Sequence, residues 1–297
     1  MTLNLTLAAP WGIWQSCDYR VSDVVVDAYG KKRLVPRQDF FSPKFLDISC
    51  PDGYALMTYT GVAELPCPPR FVQLALVSNI EDPELRAGAP MSVADWAAWS
   101  LHGPARSVDQ SVQHLQAEAA KDPTLSKRPH MFTYAAFLGD DAWIAQTSNV
   151  DEWPFGPVEG YGTVAERVTA ARPRALATGD PRSMTRAEYE EFEQLVRAPP
   201  RRPAKLLERL AELNKRAASR TCTVSPECAT RSIFPPGHAP RPDQPRGRQF
   251  GDVPPGVDLV RSVWNGINTT PHSRAFRRRA LEFFAELDRL PDSSSEL

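Results

Sequence analysis

The sequence predicts an α+β fold in which two antiparallel sheets pack face to face, with a pair of helices on each outer side. Three observations carry this reading. Short apolar runs with period-two alternation occupy the first sixty residues. Helical periodicity comes in pairs of segments separated by further strand pairs. Twenty-nine prolines stand against 16 glycines in 297 residues. Strands in runs followed by helices in runs argue for α+β rather than α/β. Proline at about twice its usual share excludes a mostly helical bundle and predicts many irregular connections.

Leu3, Leu5 and Leu7 alternate with Asn4 and Thr6, the pattern of a half-buried strand. A turn at Gly12 leads into a second short strand, 13–17, ending at Asp18. The third strand, 45–49, is bounded by Pro43 and Pro51. Pro51-Asp52-Gly53 turns the chain into a fourth, 54–60, closed by Gly61. These four read as a meander with short connections. Ser92 caps a helix that includes Trp96 and Trp99. A second helix runs over about 107–121, with Val108, Val112, Leu115 and Ala119 on one face. Strands return at 131–138 and 142–147 around Gly139-Asp140-Asp141, a hairpin signal. Thr185 caps a helix over 186–197, and Glu188 completes a capping box. Pro203 opens a helix to about Ser219 with a stripe of Leu206, Leu207, Leu210 and Leu213. Short strands are expected at 221–225 and 228–234.

The composition then changes. Residues 1–235 read as one αββα domain. Residues 236–297 read as a Pro/Arg-rich extension with an amphipathic helix over 274–290 (Phe276, Leu281, Phe284, Leu287). That helix and arginines 277–279 suggest docking on a neighbouring subunit. Residues 201–250 hold 11 Lys/Arg against 4 Asp/Glu; a solvated basic face is the simpler reading, an acidic partner the sharper one.

The formal net charge is -1, so no global field favours nucleic acid or an anionic membrane. No run reaches the ~18–20 apolar residues of a membrane helix, and the first residues lack a positive secretory leader. Five cysteines (17, 50, 67, 222, 228) suit reduced thiols in a cytoplasm better than a disulfide framework. Cys222 and Cys228 are off the CxxC spacing, and Cys17 reads as a strand residue. The histidines at 102, 114, 130, 238 and 272 lack ligand spacing, so no metal or cofactor is expected. No GxSxG elbow or phosphate-binding loop occurs. Trp11, Trp14 and Trp143 read as packing residues.

Chemistry is concentrated at the N-terminus. Thr2 follows Met1, and methionine is generally removed before a small residue. The product is a threonine carrying both a hydroxyl and a free α-amine. That amine, with an ordinary pKa of roughly 7.7–8.0, can serve as general base to the hydroxyl. A nearby lysine would favour the deprotonated nucleophile, a carboxylate would hold the lysine, and backbone amides would bind an oxyanion. Asp18 and Lys44 stand at strand ends. Gly61 closes a strand where backbone could approach a substrate. Separately, Thr2 could be merely the residue that starts an edge strand, Asp18 a turn residue paired with Arg20, and Lys44 a solvated strand end.

The residues Thr2, Gly12-Ile13-Trp14-Gln15-Ser16-Cys17-Asp18-Tyr19-Arg20, Ser42-Pro43-Lys44-Phe45-Leu46 and Leu56 to Gly61 together resemble the start of proteasome β-type subunits and their bacterial relatives, which are N-terminal nucleophile hydrolases. The resemblance covers about residues 2–235. It implies the αββα sandwich, a peptide or amide substrate, a homo-oligomer, and attack by Thr2 supported by Asp18 and Lys44, with the Gly61 amide as oxyanion donor. Arg20 belongs to the same motif. Two later positions of the family do not carry over. The Gly-rich segment here, Gly160-Tyr161-Gly162-Thr163, has no serine, and residues 218–227 have no aspartate, with Ser225 the stand-in. These departures leave a second expectation open, a catalytically inactive structural or binding subunit.

Overall fold

A computed structural model describes residues 2–41, 44–50, 53–61, 131–148, 162–198, 201–235, 247–253, 260–264 and 267–268. They form an α+β structure dominated by antiparallel sheet. In chain order the strands are β1 (Leu3–Ala9), β2 (Gly12–Asp18), β3 (Arg20–Val26), β4 (Lys32–Phe41), β5 (Phe45–Cys50), β6 (Gly53–Thr60), β7 (Met131–Leu138), β8 (Asp141–Ser148), β9 (Gly162–Val168) and β10 (Arg174–Gly179). Helices α1 (Arg186–Gln194) and α2 (Pro203–Ala218) follow. The remaining strands are β11 (Cys228–Ile233), β12 (Gly247–Phe250), β13 (Val260–Trp264) and β14 (Ile267–Asn268).

The first four expected strands all form, but not as a meander. β1 and β2 lie in a five-stranded sheet of order β10-β1-β2-β11-β12. β5 and β6 lie in a seven-stranded sheet of order β14-β13-β5-β6-β7-β8-β9. Between them runs an unanticipated ribbon, β3 with β4. Its turn signal was present: the Asp27 side chain accepts hydrogen bonds from the amides of Tyr29 (3.0 Å) and Lys31 (2.9 Å), and Gly30 takes φ 76°.

The alternation of β1 sorts its side chains between two cores. Leu3, Leu5, Leu7 and Ala9 pack with Trp14 against Phe192 of α1 and Leu207, Leu210 and Leu213 of α2. Each of these leucines is fully buried, and burial of such a side chain stabilises by roughly 1.5–3 kcal/mol. Trp14 also meets Phe234 edge-on at 5.8 Å, and Trp11 packs at the margin, so both are packing residues. The opposite face carries Ala8, Ile13 and Cys17, which pack against Phe45, Leu56, Ala135 and Ile144 of the seven-stranded sheet. The described layers are thus a helix pair, a five-stranded sheet and a seven-stranded sheet. The outward face of the third layer holds buried Met57, Tyr59, Phe132 and Tyr134. The helices expected over 92–99 and 107–121, with Trp96 and Trp99, lie outside the described residues.

Helix α1 starts as its sequence dictates. The Thr185 hydroxyl accepts from the Glu188 amide at 3.3 Å, and the Glu188 carboxylate accepts from the Thr185 amide at 2.8 Å. Residues 221–225 are irregular, with a turn at 222–223, and not the expected strand. Two segments of the supposed extension pair into the sheets. β12 lies antiparallel to β11, and β13 runs parallel to β5. The helix expected over 274–290 lies outside the described residues, as do all five histidines. No helix among the described residues is long and apolar enough to cross a membrane.

Candidate active site around Thr2

Thr2 immediately precedes β1, an interior strand between β10 and β2. Antiparallel pairing sets Asn4 opposite Cys17, so the end of β2 returns to the start of β1. Asp18 therefore arrives beside Leu3, whose amide donates to Asp18 Oδ1 at 3.1 Å. The Ser225 amide donates to Asp18 Oδ2 at 2.8 Å. Lys44 immediately precedes β5 of the other sheet. Its ammonium crosses to donate to Thr2 Oγ1 and to the Arg20 carbonyl oxygen, the latter at 2.6 Å. Convergence thus comes from two sheets meeting at one end, not from neighbours in a meander.

All three polar groups are buried: Thr2 is 1%, Asp18 0% and Lys44 2% exposed. Burial pushes the Asp18 carboxyl above its ordinary range. The Lys44 charge and the Ser225 and Leu3 amides oppose that rise only in part. An ammonium hydrogen-bonded to a buried hydroxyl favours the deprotonated oxygen and so prepares a nucleophile. The Cys17 thiol is pushed well up by burial, then by the Asp18 charge, and is inert beside this site.

The other expected site residues sit as follows. Arg20 contributes its carbonyl to Lys44, while its guanidinium donates to the Cys222 carbonyl at 3.4 Å. Ser225 contributes its amide; its hydroxyl is turned to Glu227, donating to the side-chain carboxylate and accepting from the Glu227 amide at 3.1 Å. Gly61 ends β6 exposed, with φ 101°. Gly162 and Thr163 are in β9, the edge strand of the seven-stranded sheet. The Cys222 side chain is exposed and the Cys228 thiol is buried. Among the described residues no cluster of three or more His, Cys, Asp or Glu could hold a metal ion.

Two residues beside Thr2 escaped the sequence reading. The Asp180 amide donates to the Thr2 carbonyl at 2.8 Å, and the Thr223 hydroxyl donates to Asp180 Oδ2 at 2.6 Å. Gly179-Asp180-Pro181 closing a strand was the available signal. Gly179 adopts φ 91°, and a Cβ there would stand 1.8 Å from the Thr2 carbonyl oxygen. Gly179→Ala is therefore expected to lower stability by several kcal/mol, at least ~2, through a strained φ and a backbone clash together. A urea unfolding midpoint equal to wild type would contradict that.

No family model matches the chain, and no curated protein matches it. Among solved structures it is similar to Anbu (ancestral beta-subunit) from Yersinia bercovieri, at 10% identity over 97% of each chain with a TM-score of 0.45. It is also similar to Anbu from Hyphomicrobium sp. strain MC1, at 11% identity over 98% of this chain and 99% of that one, with a TM-score of 0.43. The functional reading rests on the geometry around Thr2.

Proposed function

We propose that the chain is an N-terminal threonine hydrolase that cleaves a peptide or amide bond. The observation that carries this reading is the buried hydrogen bond from the Lys44 ammonium to the Thr2 hydroxyl, with Lys44 anchored on the Arg20 carbonyl. Removal of Met1 frees the Thr2 amine. That amine takes the hydroxyl proton as Thr2 Oγ1 attacks the substrate carbonyl. The oxyanion forms against backbone amides, Gly61 among them. The amine of Thr2 returns the proton to the leaving nitrogen, leaving an ester on Thr2. Water then adds to the ester, giving up a proton to the same amine; the bond from the acyl carbon to Thr2 Oγ1 breaks, that proton returns to Oγ1, and the acid product departs. Asp18 faces the Lys44 charge and holds two amides, of Leu3 and Ser225, that frame the site. The Asp180 amide holds the Thr2 carbonyl, and the Thr223 hydroxyl holds the Asp180 carboxylate.

The test is chemical labelling. Intact mass should show a chain lacking Met1, and an electrophile selective for N-terminal threonine should add once, on Thr2. A chain that retains Met1 in its native host and resists the probe removes this reading. The Ser225 hydroxyl is already engaged by Glu227, so Ser225→Ala should leave kcat/KM within about threefold of wild type. A loss of two orders of magnitude would assign that hydroxyl a direct role.

One observation favours a second reading, a catalytically inactive structural or binding subunit. Thr2 is 1% exposed, and the serine and the aspartate that the resemblance called for are missing from residues 160–163 and 218–227. Retained Met1 is its expected signature.

A further inference from the structure

We propose that the space between the two sheets behind Thr2 is a water-binding site, in which a file of buried water molecules is held by the side-chain oxygens of Asn4, Gln15, Thr58, Thr133 and Thr178. In each of these residues one buried oxygen lacks a partner: Asn4 Oδ1, Gln15 Oε1 and the three threonine hydroxyls. Exposures run from 0% for Gln15 and Thr58 to 6% for Thr178. The amide nitrogens of Asn4 and Gln15 are satisfied, by the Tyr59 carbonyl at 3.2 Å and by the Thr6 hydroxyl at 3.0 Å. Only the acceptor ends are left over.

Strand register makes these atoms one patch. Asn4 is paired with Thr178 on β10, and Thr58 with Thr133 on β7. The Asn4 bond to the Tyr59 carbonyl joins the two sheets next to Thr58. Gln15 joins through Thr6, two residues along β1 from Asn4. The inter-sheet layer is therefore divided. Its far end is filled by Ile13, Leu56, Phe137 and Ile144, and at its Thr2 end the threonines, asparagine and glutamine lie beside Cys17 and Phe45. Facing sheets stand about 10 Å apart. Threonine side chains are shorter than the leucine and phenylalanine that fill that gap at the far end. A buried polar oxygen without a partner weakens folding by roughly tenfold. Five in one patch are answered at once by waters bridging them, which is how native interiors satisfy such groups. All five groups are neutral, which suits water better than an ion. Thr2 meets Lys44 across the same inter-sheet space, so the file lies directly behind that pair.

The experiment is oxygen-17 magnetic relaxation dispersion on the intact protein, comparing wild type with the double variant Thr58→Val, Thr133→Val. The expected result is a set of long-lived waters in wild type, a smaller amplitude in the variant, and a folding constant lowered about tenfold. Equal amplitudes in the two proteins would overturn the proposal, as would a variant more stable than wild type. Should the double variant not fold, Thr178→Val at the rim is compared in the same way. Exchange of sodium for potassium at constant ionic strength should leave the dispersion and the stability unchanged; a change would assign the patch to a monovalent cation and overturn the proposal. Hydrolysis is not read in these measurements, so the water site and the hydrolase reading fail separately.

Discussion

Thr2→Ala is expected to lower kcat/KM for a labelled peptide or amide substrate by about 10³-fold or more while the chain stays folded. The substitution removes the only atom of Thr2 that can form the ester. It leaves β1, its pairing with β2 and β10, and the Lys44 bond to the Arg20 carbonyl in place. One buried donor loses an acceptor, a cost of about 1–3 kcal/mol that a stable domain tolerates. Thr2→Ser keeps hydroxyl and amine and should retain measurable turnover. Purified variants with matched circular dichroism melts decide the matter. An alanine variant that turns substrate over at the wild-type rate would end the hydrolase reading.

Lys44→Met is expected to strike both stability and activity. Asp18 is 0% exposed and faces the Lys44 charge, so the variant leaves a buried carboxylate without its cation. The Leu3 and Ser225 amides still hold the carboxylate, so the expected cost is about 1–3 kcal/mol. Adding Asp18→Asn should recover part of that stability, because the stranded charge is gone, but none of the turnover. Non-additivity of about 1 kcal/mol or more in a double-mutant cycle is the measured sign of coupling. Titration follows the same pair. The folded-state pKa of Asp18 is raised, so its contribution to stability is full below the unfolded value of roughly 3.9 and is lost as pH rises through the folded value. In the other direction, lowering the pH protonates Asp18 before an ordinary carboxylate, and Lys44 loses its counter-charge. The acid limb of kcat/KM should therefore lie above the usual carboxylate range.

Much of the local structure was legible because one periodicity dominated each segment. The leucines of β1, the capping box at Thr185 and the leucine stripe of α2 each state their element directly. Sheet membership was not legible. Nothing local to residues 13–17 and 45–49 says that they belong to different sheets, because that choice is made by partners at 174–179, 228–233 and 260–264. β12 and β13 hid in a segment whose prolines, glycines and arginines mask short pairing runs. The site divides in the same way. Thr2, Asp18 and Lys44 stood at strand ends, and the two sheets bring those ends together. Asp180 and Thr223 did not stand out, since their nearness to Thr2 depends on β10 pairing with β1 across more than 170 residues. The Ser225 contact with Asp18 was not legible, because an amide contact leaves no mark on residue type.

The wide sequence separation of the groups around Thr2 bears on synthesis. The Asp18 carboxylate is held by an amide 207 residues further on, and a chain leaves the ribosome at about 5–20 residues per second. For ten seconds or more the earliest strand therefore exists without the neighbours that shape its surroundings. A nascent or truncated product ending before Ser225 can hold the threonine but not the framed carboxylate. The surroundings of Thr2 are thus completed only once the chain has been made past Ser225.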